Sequence, residues 1–234
     1  MGRIERLFLV FATSMATMTR QMQDPMIAEE MQQPNAPAWP MIAEEMRQPN
    51  PPAWPSTVTV FGPEDADVSE RMALLSATLN DRSKGHFSSE RRAFLFKPGR
   101  YEDVEAAVGY YTQVAGLGFS PDDVVVGGGG GGARGIFVDA MDKRPGGAGS
   151  LDTFWRAMEN LRHEGPELRW AVSQAAPLRR VRVTGNLTLH DGAYFASGGF
   201  LADAVVDGAV SYGSQQQWLA RNVDVGGGAS GGAW

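Results

Sequence analysis

The sequence predicts an all-β fold, a right-handed parallel β-helix, for residues 56–234. The first observation is a set of short strands that each end at glycine, at residues 160–165, 180–185, 204–208 and 222–227. The second is another set of short apolar segments at a similar spacing, at residues 154–157, 169–173, 198–202 and 216–220. The first set recurs every 18 to 24 residues, close to one coil of a parallel β-helix, and the second recurs at a similar period on average. Two strands per coil at one period are what stacked coils require to bury their inward residues.

An antiparallel sandwich is the alternative fold, because its short strands also recur, about every 8 to 12 residues. The dipeptide Asn-Gly, a strong hairpin signal, is absent, which favours the β-helix. The residues predicted to point inward are Leu161, His163, Val181, Val183, Val223 and Val225. The strand at 204–208 fits with either Ala204 and Val206 or Val205 and Asp207 pointing inward.

The stretch before residue 150 predicts further strands and one helix. Apolar residues at helical spacing predict a helix over 68–79, with Ser69 as its N-cap. The predicted strands cover residues 58–61, 91–101, 108–118 and 122–126. The glycine-rich segment 127–150 is predicted to be a loop that interrupts the β-helix. It lacks the Lys-Ser/Thr ending of a phosphate-binding loop, so no phosphate site is expected there.

Residues 1–25 have the outline of a signal peptide and leader. Arg3 and Arg6 precede an apolar run, and small residues follow around 14–16. Glu5 and the short apolar stretch favour the rival interpretation, the first helix of a soluble protein. The signal-peptide interpretation predicts an extracellular protein.

A tandem repeat of 15 residues occupies residues 26–55. Its two copies differ only at Gln32/Arg47 and at Ala36/Pro51, and 8 of the 14 prolines lie between residues 25 and 55. Each proline-rich half ends a short helix-compatible segment before it reaches a stable length. The repeat is therefore predicted to be a disordered linker in front of the domain, with a polyproline II ligand as the alternative.

Composition excludes several classes of function. The formal net charge is −6, which argues against a general nucleic-acid binder. The chain has no cysteine, so disulfides, thiolate metal sites and thiol catalysis are excluded. The three histidines have no metal-ligand spacing and no serine or aspartate pattern of a catalytic triad. No segment has the apolar length of a membrane span, and no metal or other cofactor is predicted.

Several ordered motifs between residues 57 and 234 resemble one family. They are "FLFKPGRY", "VGYYTQVAGLGFSPDDV", "FWRAMENL", "RWAVSQAAPLRRV", "ASGGFLAD" and "SQQQWLARNVDVGG". The chain resembles secreted bacterial parallel β-helix proteins, often labelled coagulation factor 5/8 type. It is also similar to the double β-helix exo-β-1,3-glucanases, the laminarinases. The resemblance implies a pectate-lyase-like β-helix and a polysaccharide partner, with β-1,3-glucan the first to try.

The departures from that family define further expectations. The resemblance covers the first β-helix only, so a truncated β-helix is predicted, and the general acid of the glucanases lies in the part that it does not cover. No catalytic residue is therefore transferred. The missing part implies either a second β-helix domain as partner or self-association at the open end, where unpaired strands invite aggregation.

Glycoside hydrolysis normally needs two carboxylates, and stacked coils could supply such a pair. Asp207 and Asp224 stand near strand ends and are the weak catalytic candidates, with Glu164 the third acid of this kind. Solvated turn acids are the plainer interpretation of all three.

The stretch 213–222 supplies the carbohydrate-binding hypothesis. Glutamine amides both donate and accept hydrogen bonds, and tryptophan faces stack on sugar rings. The candidates are Gln215, Gln216, Gln217, Trp218 and Trp170. The alternative is an aromatic stack inside the β-helix, since Trp155, Trp170 and Trp218 each occur in one segment of the second set.

Three functional hypotheses follow. One is a glycan-active hydrolase or an incomplete half of one, and the second is a non-catalytic β-helix that binds carbohydrate or builds a surface layer. The third is a gene fragment without activity. The non-catalytic hypotheses together are preferred to autonomous catalysis.

Overall fold

The computed structural model describes residues 53–233, with the side chains of residues 232 and 233 left out. The interpretations of residues 1–25 and of most of the repeat at 26–55 lie outside the described residues. Two short helices are present, α1 (Val68–Leu75) and α2 (Arg82–Gly85). The first seven strands are β1 (Val58–Phe61), β2 (Arg92–Phe96), β3 (Gly99–Tyr101), β4 (Glu105–Ala107), β5 (Thr112–Gly116), β6 (Val124–Gly127) and β7 (Gly135–Phe137). The remaining seven are β8 (Arg156–Glu164), β9 (Glu167–Arg169), β10 (Pro177–Val183), β11 (Asn186–Thr188), β12 (Ala196–Val206), β13 (Val210–Val225) and β14 (Ala229–Ala233).

Every pairing between these strands is parallel, so the predicted parallel β-helix is confirmed and the antiparallel sandwich is wrong. The strands lie on three faces. The first face runs β1–β2–β5–β8–β10–β12–β13, and the second runs β3–β6 and on through the later parts of β8, β10, β12 and β13. The third carries β4–β7 and the set β9–β11–β13–β14. From β2 onward the chain therefore visits the three faces in turn, whereas β1 is followed by the two helices.

The core consists of ladders of inward residues from successive coils. On the first face Val114, Met158, Leu178 and Leu201 are in register and at most 1% exposed. On the second face one ladder runs through Val126, His163, Val183, Val206 and Val225. The predicted inward position of His163 is confirmed, with 0% exposure. The open register at 204–208 is settled as well, since Ala204 and Val206 are buried.

Two corners of the coil are made by single residues in the left-handed backbone region. The first corner precedes the strands of the first face and contains Tyr111, Trp155, Ala175, Gly198 and Gln217, with φ between 53° and 84°. The pairing of the adjacent strands places these five in register from coil to coil. The second corner follows the same strands and contains Asn160, Arg180, Asp203 and Asn222, with φ between 49° and 55°. We call these sets the first and second corner ladders.

Two local predictions before residue 150 need correction. Helix α1 ends at Leu75, and its N-cap residue is Asp67 rather than Ser69, whose hydroxyl accepts from Glu105 N–H instead. The segment 127–150 is not simply an interrupting loop, because β7 lies within it and Ile136 is 0% exposed. A run of glycines hides a three-residue strand from a prediction based on composition.

Candidate functional site

Two of the proposed carbohydrate-binding residues are buried. Trp170 is 0% exposed, and its indole N–H donates to Ala176 O at 3.0 Å. Gln215 is 2% exposed, and its amide donates to Val172 O and Leu189 O. Trp170 and Gln215 therefore hold the coil together and are not available for stacking or hydrogen bonding to a sugar. Their assignment to a binding surface is corrected.

The other three candidates lie where the first corner meets β13. Gln216 and Gln217 are exposed, and Trp218 is half-buried. The ring of Trp218 covers Gly199 in the preceding coil, where an added Cβ would lie 2.3 Å from the ring. The buried indole N–H of Trp218 has no partner among the described residues. Gln216 and Gln217 thus remain accessible for binding, while Trp218 mainly closes the core.

The three tryptophans do not form one stack. Trp155 lies in the first corner ladder. Trp218 comes directly after the corner residue Gln217 and lies opposite Gly199, and Trp170 follows β9 on the third face. The segment 169–173 is therefore not equivalent to 154–157 or 216–220. Apolar alternation alone does not reveal that a corner residue is inserted between two faces.

Asp207 and Asp224 do not face each other across adjacent coils. Asp224 lies opposite Val205, which is two residues before Asp207 in the sequence. The two carboxylates are therefore offset along the strand direction. The Asp207 carboxylate accepts from the guanidinium of Arg182 at 3.3 Å, and Asp224 makes no ion pair within the part of the chain that is described. Glu164, the third acid, binds Arg100 and Arg162, and the hydrogen bond from Arg100 holds its pKa below the ordinary value. The arrangement resembles solvated and paired surface carboxylates more than an acid/base pair.

The strongest surface feature is an aromatic ledge, which we define as His86, Phe87, Tyr111, Phe154 and Trp155. The rings of Tyr111 and Trp155 are stacked in register, with centroids 5.2 Å apart and an angle of 6° between their planes. His86 stacks near Phe87 and Phe154 at 4.3 and 5.7 Å. Phe87 is 81% exposed, so the ledge faces solvent. Such rings provide flat apolar faces, with a ring nitrogen at hand for hydrogen bonding.

The backbone under the ledge is strained. Tyr111 and Trp155 have φ of 53° and 54°, in a region that bulky residues rarely adopt. A residue of this kind costs roughly 1 to 3 kcal/mol and persists where the surroundings impose it, often at functional sites. The outer face of Tyr111 is covered by the guanidinium of Arg91, 3.8 Å from the ring centroid. Arg91 and the neighbouring coil thus fix both rings in place.

A buried cation supports the ledge from below. Arg156 follows Trp155, is 3% exposed and donates to Val108 O and Phe154 O. Burial lowers the pKa of Arg156 to about 10, and the nearby Tyr110 and Asp152 oppose that shift. Because its donors bind the carbonyl of Phe154, directly before Trp155, and the carbonyl of Val108 in the preceding coil, Arg156 fixes the corner on which that ring stands.

Small residues leave a notch in the first corner ladder. Between Trp155 and Gln217 the corner positions are Ala175 and Gly198, so the two larger side chains stand three coils, roughly 14 Å, apart. The side chain of Gln174 lies against Gly198 and forms part of the floor. A shallow cavity of about 210 Å³ opens beside it, lined by Tyr111, Thr112, Gln113, Trp155, Arg156, Ala157, Ala175 and Pro177. The second face of Trp155 borders this space.

Sequence reasoning missed the ledge as a site. In the sequence, Trp155 is recognised only as one of three recurring tryptophans, and Tyr111 only as part of the predicted strand 108–118. The signal that could have found them is a pair of adjacent aromatics directly before a strand, Tyr110-Tyr111 and Phe154-Trp155. In each pair the second residue forms the corner, and in the first pair Tyr110 is fully buried.

The histidines do not form a metal site. Burial lowers the pKa of His163, whose Nε2 lies 3.0 Å from Arg134 O and whose Nδ1 has no partner among the described residues. His190 lies 3.0 Å from the hydroxyl of Ser211 and 2.9 Å from Gly192 O. This serine–histidine contact was not anticipated from the sequence. Within residues 53–233 no group of three or more metal-ligating side chains is found.

No helix in the described part of the chain is long and apolar enough to cross a membrane.

Comparison with known proteins gives a partial match. No protein-family model matches the chain. It is 40% identical over 177 residues to an exo-beta-1,3-glucanase of Streptomyces sp. strain SirexAA-E / ActE, over 74% of this chain and 27% of that protein. The solved structure of sacteLam55A from Streptomyces sp. SirexAA-E matches with a TM-score of 0.69 and 38% identity, over 78% of this chain and 32% of that one. A variant of sacteLam55A in complex with glucose matches with a TM-score of 0.67 and 36% identity, over 79% and 32%.

The chain therefore spans about a quarter of the curated relative and about a third of the solved structures. Along that part both the sequence and the parallel β-helix are shared. The chain is, over most of its own length, homologous to part of an exo-β-1,3-glucanase.

Proposed function

We propose that this protein is a polysaccharide-associated β-helix that binds β-1,3-glucan without cleaving it on its own. The observation that most directly supports this proposal is the stacked pair Tyr111–Trp155, in a strained corner beside the notch. The homology to part of an exo-β-1,3-glucanase supports glucan as the ligand class. An extracellular location is part of the same proposal, because polysaccharides of this kind are met outside the cell.

The geometry of the notch suits a sugar chain. A pyranose ring stacks on Trp155 through its axial C–H groups, while its hydroxyls meet the amide of Gln174 at the floor. Gln217 stands roughly 14 Å from Trp155, so its amide meets a later unit of the same glycan chain. Ala175 has no side chain beyond Cβ, which leaves room for the sugar, whereas the side chain of Gln174 fills the space in front of Gly198. Gln216 stands next to Gln217 and extends the polar wall.

The test is a laminarin binding isotherm on the full chain, combined with an assay of reducing-sugar release. We expect saturable binding without turnover, and Trp155→Ala should weaken binding about five-fold, since aromatic stacking in such sites contributes on the order of 1 kcal/mol. Phe119→Ala is the matched control, because Phe119 is a fully exposed aromatic outside the ledge.

Each other result has a definite meaning. Turnover of laminarin would replace the proposal by a glycoside hydrolase, and Asp207→Asn and Asp224→Asn would then be assayed. Neither binding nor turnover would support a fragment without activity. Equal weakening by Trp155→Ala and Phe119→Ala would remove the notch as the binding site.

Completion by a second β-helix domain, or self-association, is a separate proposal. Sedimentation velocity of the purified chain over a range of concentrations tests the self-association. A single monomeric species at every concentration would reject it.

A further inference from the structure

A second cavity, of about 400 Å³, lies away from the notch. One wall is the glycine-rich segment between β6 and β7, and the other is the turn that joins β8 to β9. Its lining residues are Gly128, Gly129, Gly132, Ala133, Arg134, Phe137, Gly165, Pro166, Glu167 and Arg169. The volume is within the range of roughly 300 to 1,000 Å³ that is typical of small-molecule sites. We call it the glycine cavity.

Arg134 is held rigidly at the edge of the glycine cavity. Its two terminal nitrogens donate to both oxygens of Asp139, at 3.1 and 2.7 Å. The guanidinium also lies over the ring of Phe137, 3.6 Å from the centroid. A planar guanidinium fixed by a bidentate pair and a ring loses little further freedom when it donates its remaining N–H groups.

Arg169 is fixed on the opposite wall. It donates to Glu167 at 3.0 Å, to Asp139 at 3.3 Å and to Asp191 at 3.2 Å. Burial alone would raise the pKa of Asp139, but the hydrogen bond and charge of Arg134, with the charges of Lys143 and Arg169, hold that pKa below its ordinary value. The carboxylate of Asp139 therefore stays ionised at neutral pH.

The glycines expose main chain to the cavity. Positive φ at Gly128 and Gly132 permits a backbone that residues with side chains rarely adopt. An added Cβ at Gly132 would meet no atom within 4 Å, so the space in front of it is open. Glycine in such a wall lets a ligand approach the peptide groups closely.

From this arrangement we infer that the glycine cavity binds a neutral saccharide unit, at a site separate from the notch. The fixed guanidinium donors of Arg134 and Arg169 line the cavity together with a carboxylate acceptor, Glu167, and this combination matches hydroxyl groups that both donate and accept. An anionic ligand fits less well, because Asp139, Asp191 and Glu167 offset the charges of Arg134, Arg169 and Lys143. The side chains of Phe137 and Pro166 add a small apolar surface.

The experiment uses the full chain labelled with ¹⁵N and titrated with laminaribiose. We expect the amide signals of Gly128, Gly129 and Gly132 to shift in a saturable way. The same shifts should occur in Trp155→Ala, which removes the stacking ring of the notch and leaves the glycine cavity unchanged. In Ala133→Trp, where the new ring fills the cavity, those shifts should be lost. Gly130→Ala is the matched control, since Gly130 is in the same segment, has open space around it and does not line the cavity.

Glu167→Gln is the second variant, because it leaves the cavity shape intact. It should weaken the glycine-cavity isotherm at least five-fold while the notch isotherm, followed at the Gln217 side-chain amide, stays unchanged. The inference is overturned if laminaribiose causes no saturable shift at the three glycines in the Trp155→Ala background, or if Ala133→Trp leaves those shifts as they were. If only the notch fails to bind glucan, the proposed function is rejected and the saccharide site in the glycine cavity is retained.

Discussion

The two corner ladders share one backbone conformation and differ in several of the residues that adopt it. Asn160, Asp203 and Asn222 in the second ladder are residue types that tolerate the left-handed region. Tyr111 and Trp155 in the first ladder are types that do not. The comparison shows where the fold uses a corner for its own stability and where it carries strain in order to present rings to solvent.

Side-chain hydrogen bonds stabilise the left-handed residues of the second ladder. The amide of Asn160 donates to Gly116 O at 2.8 Å and to Gly118 O at 2.7 Å, and that of Asn222 donates to the carboxylate of Asp203 at 2.9 Å. These bonds join neighbouring coils. The corner residues of the first ladder have few comparable bonds, which supports a role for that ladder outside folding.

The largest expected effect is that of Asn160→Ala. It removes both hydrogen bonds to main-chain carbonyls and leaves an alanine in the left-handed region, so the free energy of unfolding should fall by about 2 to 4 kcal/mol. Urea unfolding followed by circular dichroism measures it. Laminarin affinity of the folded variant should be unchanged, and a loss of affinity would mean that the two ladders do not have separate roles.

A smaller effect separates strain from contact in the first ladder. Trp155→Gly should be more stable than Trp155→Ala by about 1 kcal/mol, because glycine adopts φ near 54° without a steric penalty. Both variants should lose laminarin affinity to the same extent. If the alanine variant is the more stable one, the corner is not strained and the argument from strain to function fails.

The smallest effect concerns pH at the second ladder. The hydrogen bond from Asn222, with the charges of Arg221 and Arg179, lowers the pKa of Asp203. A carboxyl with a lowered folded-state pKa contributes stability above its unfolded pKa of about 3.9, and that contribution is lost as pH falls through the folded value. Asp203→Asn should therefore reduce the loss of thermal stability between pH 5 and pH 3. Identical melting curves for both proteins over that range would contradict the prediction.

The sequence predicted the fold because the core follows simple rules. Strands that end at glycine with period-two alternation placed Leu161, His163, Val181 and Val183 inward, and all four are buried. The register of the strand at 204–208 could not be decided from the sequence, since either register points at least one apolar residue inward. Pairing with β10 and β13 settles it.

The site was predicted less well, for a physical reason. Whether a tryptophan is buried or exposed depends on which ladder it enters, and one inserted corner residue moves the whole pattern by one position. Trp170 and Trp155 have similar local sequences and opposite environments. The glycine cavity was also hidden, because the run at 127–132 gives no sign of which residues fold back against it.

The single-residue corner also bears on how this surface can change over time. Each coil adds one corner position, and the core behind it is filled by other residues, so a bulky side chain in place of Ala175 would shorten the notch by a whole step of about 4.8 Å without repacking the interior. The length of glycan that fits therefore changes in discrete steps, one residue at a time. Each such step places a bulky residue in the left-handed region, so a shorter site is gained together with a loss of stability in descendants of this chain.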